Sequence, residues 1–363
     1  MKFIFISSLI FFSFAISFSQ TVDIKFKLAQ NYEQGGDWEH AIPLYEELYQ
    51  RDSSNKFVFD ALRRGYLFLK KYDNAISLIQ NRLQKQSNDI TLIAQLGTAF
   101  AKADNESLAV VTWENGIAFD KKNFMTYKII SDAAQENRMW ETAIDFYKRG
   151  RKEIGTENLF AAELSSLYSL LFKFPEASKE LLLLLNETPQ QLSYVQSRFA
   201  PFTGKPDGLK AATEVMQNEI ASHSESINLK KLFAWLLMEG KKYSEAYKVY
   251  GDIDAKTKAN GNELYAFAER VYHDGEFFIA ANAYSDIITK YGSFPQLFLV
   301  RFNFARCLEE LSDEADSLTL YKIKTAKFQV TFENAIDEYS KLARGQKTTE
   351  IAASCYLQIA KIQ

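Results

Sequence analysis

Histidine and cysteine are the side chains in this sequence from which a metal site or a nucleophile would most readily be built. The three histidines lie far apart, at His40, His223 and His273, and match no zinc-ligand spacing. The two cysteines, Cys307 and Cys355, are 48 residues apart and complete no zinc motif. We therefore expect neither a metal site nor a cofactor.

Motifs that activate a serine or hold a phosphate are also missing from the sequence. It contains no GxSxG elbow, no GxxxxGK(S/T) phosphate loop and no HExxH helix. The nearest glycine cluster runs from Gly204 to Gly208 and lacks the phosphate-loop spacing. Carboxylates are plentiful, but they fall on solvated helix faces and no catalytic pair stands out. The sequence predicts that the protein is not an enzyme.

The elements that position these side chains are short amphipathic helices in a repeated pattern. The clearest copy runs from Leu28 to Leu48, where Ala41 is a small residue that lets two helices approach closely. Steps of 34 residues from Ala41 reach alanine each time, at Ala75, Ala109, Ala143 and Ala177. Alanine occupies on the order of one position in ten, so four further matches have a chance of about one in ten thousand. The sequence therefore predicts a repeated helical hairpin.

Large apolar residues follow the same period in most copies. The position of Tyr32 is taken by Tyr66, Phe100 and Tyr168, and that of Trp38 by Tyr72, Trp140 and Phe174. This combination resembles the tetratricopeptide repeat (TPR) family, whose unit is a 34-residue helix-turn-helix. The resemblance implies an all-α fold, a right-handed superhelical solenoid of TPR repeats that binds a protein or peptide partner in a concave groove.

In that family the first helix of each unit lines the groove, through positions not used for packing. Carried over to this sequence, the expected partner-binding residues are Phe26, Gln30, Arg64, Lys128, Lys231, Trp235, Tyr265, Glu269 and Tyr272, with Glu33, Asp60, Leu67, Asp132 and Asn262 as further groove positions. Trp235 is the candidate anchor, because large aromatics are typical of binding hot spots. Co-chaperone members grip a C-terminal carboxylate with a Lys and Asn pair, and no pair at the corresponding positions here matches.

Five chemically distinctive residues are interpreted as core instead. Trp38, Trp113 and Trp140 fall at pattern positions that fill the contacts between helices. Cys307 and Cys355 lie in different predicted helices. A disulfide would be available to them in an oxidising compartment, but we favour buried free thiols.

The spacing divides the chain into three regions after the leader. Residues 20–189 hold units one to five without an insertion, and Pro189 ends the fifth. Residues 190–226 form a degenerate unit and candidate hinge, in which Pro201 predicts that the first helix stops near Ala200. Residues 227–363 carry further TPR-like units. The last of these is unfinished, which indicates either a capping helix or truncation of a longer protein.

The first nineteen residues have the composition of a secretory signal peptide. A positive start at Lys2 precedes an apolar, serine-rich run that ends at Phe18, and Ser19 is a small residue at the expected cleavage site. A membrane anchor needs about 20 apolar residues, and this run is shorter. We predict a cleaved signal peptide over residues 1–19, a secreted or periplasmic protein, and no transmembrane span in the mature chain. The leader resembles those of exported Bacteroidota proteins.

The charge balance argues against one class of partner. Lysine and arginine total 43, aspartate and glutamate total 46, and the net charge is −3. The sequence has no basic stripe of the kind that a phosphate backbone requires. We therefore expect no nucleic-acid binding.

Together these features predict an exported scaffold that mediates protein–protein interactions in the cell envelope through its groove. Two alternatives stay open at this point. The array is the interaction arm of a longer enzyme whose catalytic domain lies beyond residue 363, or it presents aromatic side chains to glycans. The intact reading frame tests the first alternative, and glycan binding before and after Trp235→Ala tests the second.

Overall fold

The computed structural model describes residues 24–313, 327–345 and 350–363, and the regular elements in these ranges are all helical. The predicted signal peptide, residues 1–19, lies outside the described residues. The chain divides into two compact units, one ending at Phe160 and the other beginning at Ala161.

The helices of the N-terminal unit are α1 (24–34), α2 (Trp38–Arg51), α3 (Lys56–Phe68), α4 (Tyr72–Leu83), α5 (Ile90–Lys102), α6 (Glu106–Phe119), α7 (Phe124–Glu136) and α8 (Trp140–Ile154). Those of the C-terminal unit are α9 (Ala161–Leu170), α10 (Phe174–Glu187), α11 (Leu192–Thr203), α12 (Pro206–Ser222), α13 (Ile227–Glu239), α14 (Tyr243–Thr257), α15 (Asn262–His273), α16 (Phe277–Lys290), α17 (Leu297–Asp313), α18 (Phe332–Gly345) and α19 (Glu350–Ile362). Within each unit, helices that follow one another in sequence pack together. The fold is therefore an all-α repeat solenoid, as predicted.

The turn inside the hairpins has one recurring backbone geometry. A left-handed residue returns every 34 positions in the N-terminal unit, at Gly36, Lys70, Asp104 and Arg138, with φ values of 76°, 57°, 59° and 61°. The next amide donates to a carbonyl five residues earlier, as in the 2.8 Å bond from Asp37 N to Tyr32 O. This is the Schellman arrangement that satisfies the last carbonyls of a helix. The C-terminal unit repeats it at Phe172, Lys241 and Gly275.

The hairpin formed by α11 and α12 is built differently. Its turn residue Gly204 has a φ of −67°, so the left-handed turn is absent there. The prediction that the first helix stops near Ala200 is wrong, because α11 continues through Pro201 to Thr203. Phe199 and Phe202 are both buried in this last stretch, and their packing offsets the backbone hydrogen bond that proline removes. The division of the chain at residues 190–226 stays a prediction.

Small residues line the helix contacts as the pattern predicts. The five marker alanines have no exposed surface: Ala41, Ala75, Ala109, Ala143 and Ala177. Trp38 and Trp113 are also buried, which confirms their interpretation as core. Trp140 is only half-buried.

Gly97 shows how tightly two helices of the N-terminal unit meet. The Trp113 indole of α6 covers Gly97 on α5, and a methyl group added at Gly97 would overlap that ring. The indole nitrogen also donates to the carbonyl oxygen of Ala94 at 3.2 Å. The Trp113 indole therefore fits into this contact because Gly97 has no side chain.

The other distinctive apolar residues are part of the core. Cys307 and Cys355 are buried free thiols, which confirms the favoured interpretation. Burial raises the pKa of both thiols, so they stay protonated and poorly nucleophilic. The leucine run in α10 is buried too, at Leu181, Leu182 and Leu185. None of the helices in the described ranges has the length and apolar character needed to cross a bilayer.

Candidate functional site

The candidate partner-binding surface lies on three first helices of the C-terminal unit, α13, α15 and α17. Each of them contains a fully buried alanine, at Ala234, Ala268 or Ala305. The residue after each alanine stands beside the helix contact and keeps part of its surface accessible, at Trp235, Glu269 and Arg306. We call the surface formed by Lys231, Trp235, Tyr265, Glu269, Tyr272 and Arg306 the aromatic face.

Contacts between successive helices hold this surface together. The Lys231 ammonium lies 2.5 Å from the Glu263 carboxylate, which joins α13 to α15. The Arg306 guanidinium lies 5.1 Å from the centre of the Tyr272 ring, which joins α15 to α17. A cation over an aromatic ring is attracted by the negative charge of the ring face. The aromatic face is therefore one surface built from three helices.

Trp235 is half-buried and packs on the apolar cluster that contains Leu232 and Leu236. Its indole nitrogen has no hydrogen-bond partner among the described residues. A buried tryptophan of a helix contact usually satisfies this donor within the protein, as Trp113 does. Trp235 thus combines a fixed ring with a donor left for another molecule.

Two tyrosines on α15 have the same property. Tyr265 lies against Phe294 with ring centres 5.3 Å apart, and Tyr272 lies against Phe277 with ring centres 5.5 Å apart. Burial raises the pKa of Tyr272 to about 12, so its hydroxyl is protonated at neutral pH. Within the described part of the chain neither hydroxyl donates a hydrogen bond. Both rings are held in place while their polar ends stay available.

Glu269 has a different role from the aromatic residues beside it. Its carboxylate accepts a hydrogen bond from the Tyr284 hydroxyl at 2.5 Å and another from the Asn303 amide at 2.7 Å. Burial and the bond to Glu269 raise the pKa of Tyr284, so this phenol does not ionise near neutrality. Glu269 therefore links α15 to α16 and α17. Its main role is to hold the aromatic face in place, not to contact a partner.

The bond between Tyr284 and Glu269 belongs to a series that the sequence interpretation missed. A tyrosine of a second helix donates to a carboxylate on a first helix in four pairs, Tyr45 to Glu33, Tyr147 to Asp132, Tyr284 to Glu269 and Tyr339 to Glu309. In three of these pairs the acid precedes the tyrosine by 12 or 15 residues, and that spacing was a usable signal. Buried phenols need such partners.

In the N-terminal unit, the predicted groove residues are mostly engaged with one another. Arg64 pairs with Glu33 at 2.6 Å, and Lys128 pairs with Asp132 at 2.6 Å. Phe26 packs edge-on against Tyr45, with ring centres 6.1 Å apart. Gln30 is exposed. The structure thus places five of the nine predicted residues on the aromatic face, and these four in the other unit.

Arg306 is the member of the aromatic face that the sequence interpretation did not single out. Its repeat position was readable, since it directly follows Ala305 as Trp235 follows Ala234. The spacing before α17 is irregular, and the repeat position of Arg306 was therefore not recognised from the sequence. Arg306 forms no ion pair with any described residue, although the ring of Tyr272 lies beneath it.

No group of three or more histidine, cysteine, aspartate or glutamate side chains in the described ranges is arranged to hold a metal ion. The aromatic face also brings no nucleophile together with a base. Its arrangement can provide apolar contact, hydrogen-bond donors and one positive charge, which are means of binding a ligand.

No protein-family model matches the chain, and a search of curated proteins also found no match. Solved structures with similarity include PilW, a widely conserved type IV pilus biogenesis factor, at 16% identity over 59% of this chain and 98% of that chain, with a TM-score of 0.32. A thermophilic TPR protein from Thermus thermophilus is 14% identical over 50% of this chain and 97% of that chain, with a TM-score of 0.31.

A TPR protein from Parabacteroides merdae is 12% identical over 80% of this chain and 99% of that chain, with a TM-score of 0.27. The chain's own alanines, hairpins and left-handed turns, each recurring at 34 residues, are what define its fold as an all-α repeat solenoid.

Proposed function

We propose that the protein is an interaction scaffold of the TPR type that binds a protein or peptide partner on the aromatic face. The observation that carries the proposal is the set of three fixed rings whose polar groups have no partner in the described chain, at Trp235, Tyr265 and Tyr272. Tryptophan, tyrosine and arginine are the residues most enriched among binding hot spots.

The charge on this surface indicates what the partner contains. Lys231 is neutralised by Glu263, whereas Arg306 has no carboxylate partner among the described residues. A bound segment would therefore place apolar side chains against the rings and a carboxylate beside Arg306. This favours a short acidic segment with aromatic or aliphatic anchors as the ligand.

Site-specific photocrosslinking tests this proposal. Ala266 is exposed and lies between Tyr265 and Glu269 in sequence, so a photoreactive amino acid placed there reports on the aromatic face. We expect it to capture a defined segment of a partner in cells, which mass spectrometry of the linked peptides identifies. The matched control carries the same amino acid at Phe124, an exposed aromatic position of the N-terminal unit.

Two results decide the outcome of this experiment. Loss of the crosslink at Ala266 when Trp235→Ala is added supports the aromatic face as the binding site. Capture of the same segments at Ala266 and Phe124, or no loss with Trp235→Ala, contradicts it. In that case binding uses another surface, or the ligand is not a protein.

We also propose that the protein acts outside the cytoplasm, in the cell envelope. The support is the sequence of residues 1–19, with its positive start, apolar run and small residues at the end. Fractionation of cells and N-terminal sequencing of the mature protein test this. We expect recovery with the periplasmic or extracellular fraction and a first residue of Gln20. A cytoplasmic protein that retains Met1 contradicts the proposal.

A further inference from the structure

A small polar pocket in the N-terminal unit carries an inference that does not depend on the aromatic face. It has a volume of about 220 Å³ and lies between the start of α3, the end of α4 and the start of α5. Its lining is polar except for Phe59 and Leu92, and consists of Lys56, Phe59, Asp60, Arg82, Gln86, Asp89, Thr91, Leu92 and Gln95. We call it the α3–α5 pocket.

Two of the residues that line the pocket, Arg82 and Lys56, carry hydrogen-bond donors that the described chain does not use. The Arg82 guanidinium lies 4.4 Å from the centre of the Phe59 ring, and its Nη2 donates to the carbonyl of Ser54 at 3.4 Å. Its Nη1 is buried and has no partner among the described residues. Lys56 forms no ion pair with any described residue. Arg82 Nη1 is therefore a buried donor without an acceptor, and Lys56 is an exposed cation among the lining residues.

Two further residues that line the pocket offer acceptors, Gln95 and Asp60. The side-chain oxygen of Gln95 is buried and has no hydrogen-bond partner in the described ranges. The Asp60 carboxylate is 3.9 Å from Arg63 Nε, too far for a hydrogen bond. Asp89 is engaged, since it accepts the amide of Leu92 at 3.1 Å as the cap of α5. Gln95 Oε1 thus has no partner, and Asp60 has only a long ion pair with Arg63 and can still accept hydrogen bonds.

Leaving Arg82 Nη1 and Gln95 Oε1 unpaired is unfavourable, because these two buried atoms have lost water without gaining a partner. A ligand that supplies an acceptor for Arg82 and Lys56, together with a donor for Gln95 and Asp60, removes both deficits. The pocket contains balanced charges, with two cations and two carboxylates, so a ligand without net charge fits it best.

We propose that the α3–α5 pocket binds a free α-amino acid as its zwitterion. The carboxylate of the ligand accepts hydrogen bonds from Arg82 Nη1 and Lys56, and its ammonium group donates to Gln95 Oε1 and Asp60. An α-amino acid carries these two groups on one carbon atom, which suits a cavity of this size, whereas a peptide places them at opposite ends. Thr91 and Gln86 also line the pocket and can offer hydrogen bonds to a small polar side chain of the ligand.

Calorimetric titration of the purified protein with L-serine, L-glutamine and glycine tests the proposal. We expect saturable binding of at least one of them, and binding at least about tenfold weaker for its N-acetyl and carboxamide analogues, each of which lacks one charged group. D-glucose, which offers only hydroxyl groups, serves as the probe for a polyol site and should not bind.

Two variants connect binding to this pocket. Asp60→Asn keeps the side-chain shape, and Lys56→Ala alters an exposed residue, so both should fold with unchanged circular dichroism. We expect each to weaken the binding at least about tenfold, because each removes one charged partner of the ligand. Lys122→Ala, an exposed lysine on the turn before α7, is the control and should leave it unchanged.

The outcomes separate cleanly. The proposal is overturned if none of the three amino acids binds saturably up to about 10 mM, a concentration well above the dissociation constant expected for a specific site. The pocket would then hold water only. Equal binding by the blocked analogues, by D-glucose or by the Asp60→Asn and Lys56→Ala variants also overturns it. These results are independent of any partner bound at the aromatic face.

Discussion

The first helices of the two units use the same repeat position in different ways. Arg64 and Asp132 of the N-terminal unit precede the marker alanines Ala75 and Ala143 by eleven residues, and Trp235 of the C-terminal unit precedes the buried Ala246 by the same spacing. Arg64 and Asp132 meet an opposite charge, on Glu33 and Lys128. Trp235 packs on an apolar cluster, and its indole nitrogen has no hydrogen-bond partner among the described residues. The repeat position therefore sets where a side chain lies, and the side chains around it determine whether it is available for binding.

The largest effect that we expect from this comparison is on binding. Trp235→Ala should weaken the affinity for the crosslinked partner segment about 30-fold or more, which corresponds to ~2 kcal/mol or more for a hot-spot tryptophan. Arg64→Ala at the equivalent position should change it less than about threefold, because an exposed ion pair contributes ~1 kcal/mol or less. Surface plasmon resonance with the synthetic segment measures both. Similar losses of affinity for the two variants would contradict the proposed difference between the two units.

The next effect concerns two glycines, one in each unit. Gly97→Ala should lower the free energy of unfolding by about 1–3 kcal/mol, since the new methyl group meets the Trp113 ring. Gly251→Ala on α14 is the matched control, because no atom lies within 4 Å of the added carbon there. Alanine should stabilise that helix by up to about 1 kcal/mol. Urea denaturation measures both, and equal effects would contradict the close contact at Gly97.

A smaller effect should separate supporting tyrosines from available ones. Tyr284→Phe removes the hydroxyl that donates to Glu269, and should cost about 1–2 kcal/mol of stability. Tyr272→Phe removes a hydroxyl with no partner among the described residues, so its effect on stability should lie within about 0.5 kcal/mol. Chemical denaturation of the two variants measures the difference. If Tyr272→Phe destabilises as much as Tyr284→Phe, its hydroxyl is part of the fold and not of the binding surface.

The smallest effect concerns the left-handed turns. Lys70→Gly should raise the free energy of unfolding by about 0.5–1 kcal/mol, because Lys70 has a φ of 57°, which glycine adopts more readily. Gly36→Ala, at the same turn position with a φ of 76°, should lower it by a similar amount. Lys71→Gly serves as control, since Lys71 has a φ of −82° and gains nothing from glycine. Thermal unfolding of the three variants gives the comparison.

Most of the fold was predictable because its determinants are local. The marker alanines and the aromatic positions recur along the sequence, and the structure buries the alanines completely. Helix packing needs a small residue wherever two helices approach closely. Small residues therefore recur in the sequence at a fixed period. The prediction failed at Pro201, where burial of Phe199 and Phe202 continues α11 beyond the position at which proline alone would end it.

The candidate site was predictable only in part. The repeat register selected Trp235, Tyr265 and Tyr272, which the structure places on the aromatic face. It did not distinguish them from Glu269 or Lys128, whose partners lie on other turns or other helices. Arg306 was missed because the spacing before α17 is irregular, and the α3–α5 pocket was missed because Lys56, Arg82 and Gln95 have no shared sequence pattern.

The sequence by itself determined the helical class, the 34-residue period and the residues that pack, since each of these follows from the spacing of small and apolar residues along one chain. Only the tertiary structure decided which charged and polar groups are paired and which remain available. Hydrogen bonds and ion pairs between successive repeats depend on distances of a few ångströms, as between Arg64 and Glu33, and no local pattern specifies them.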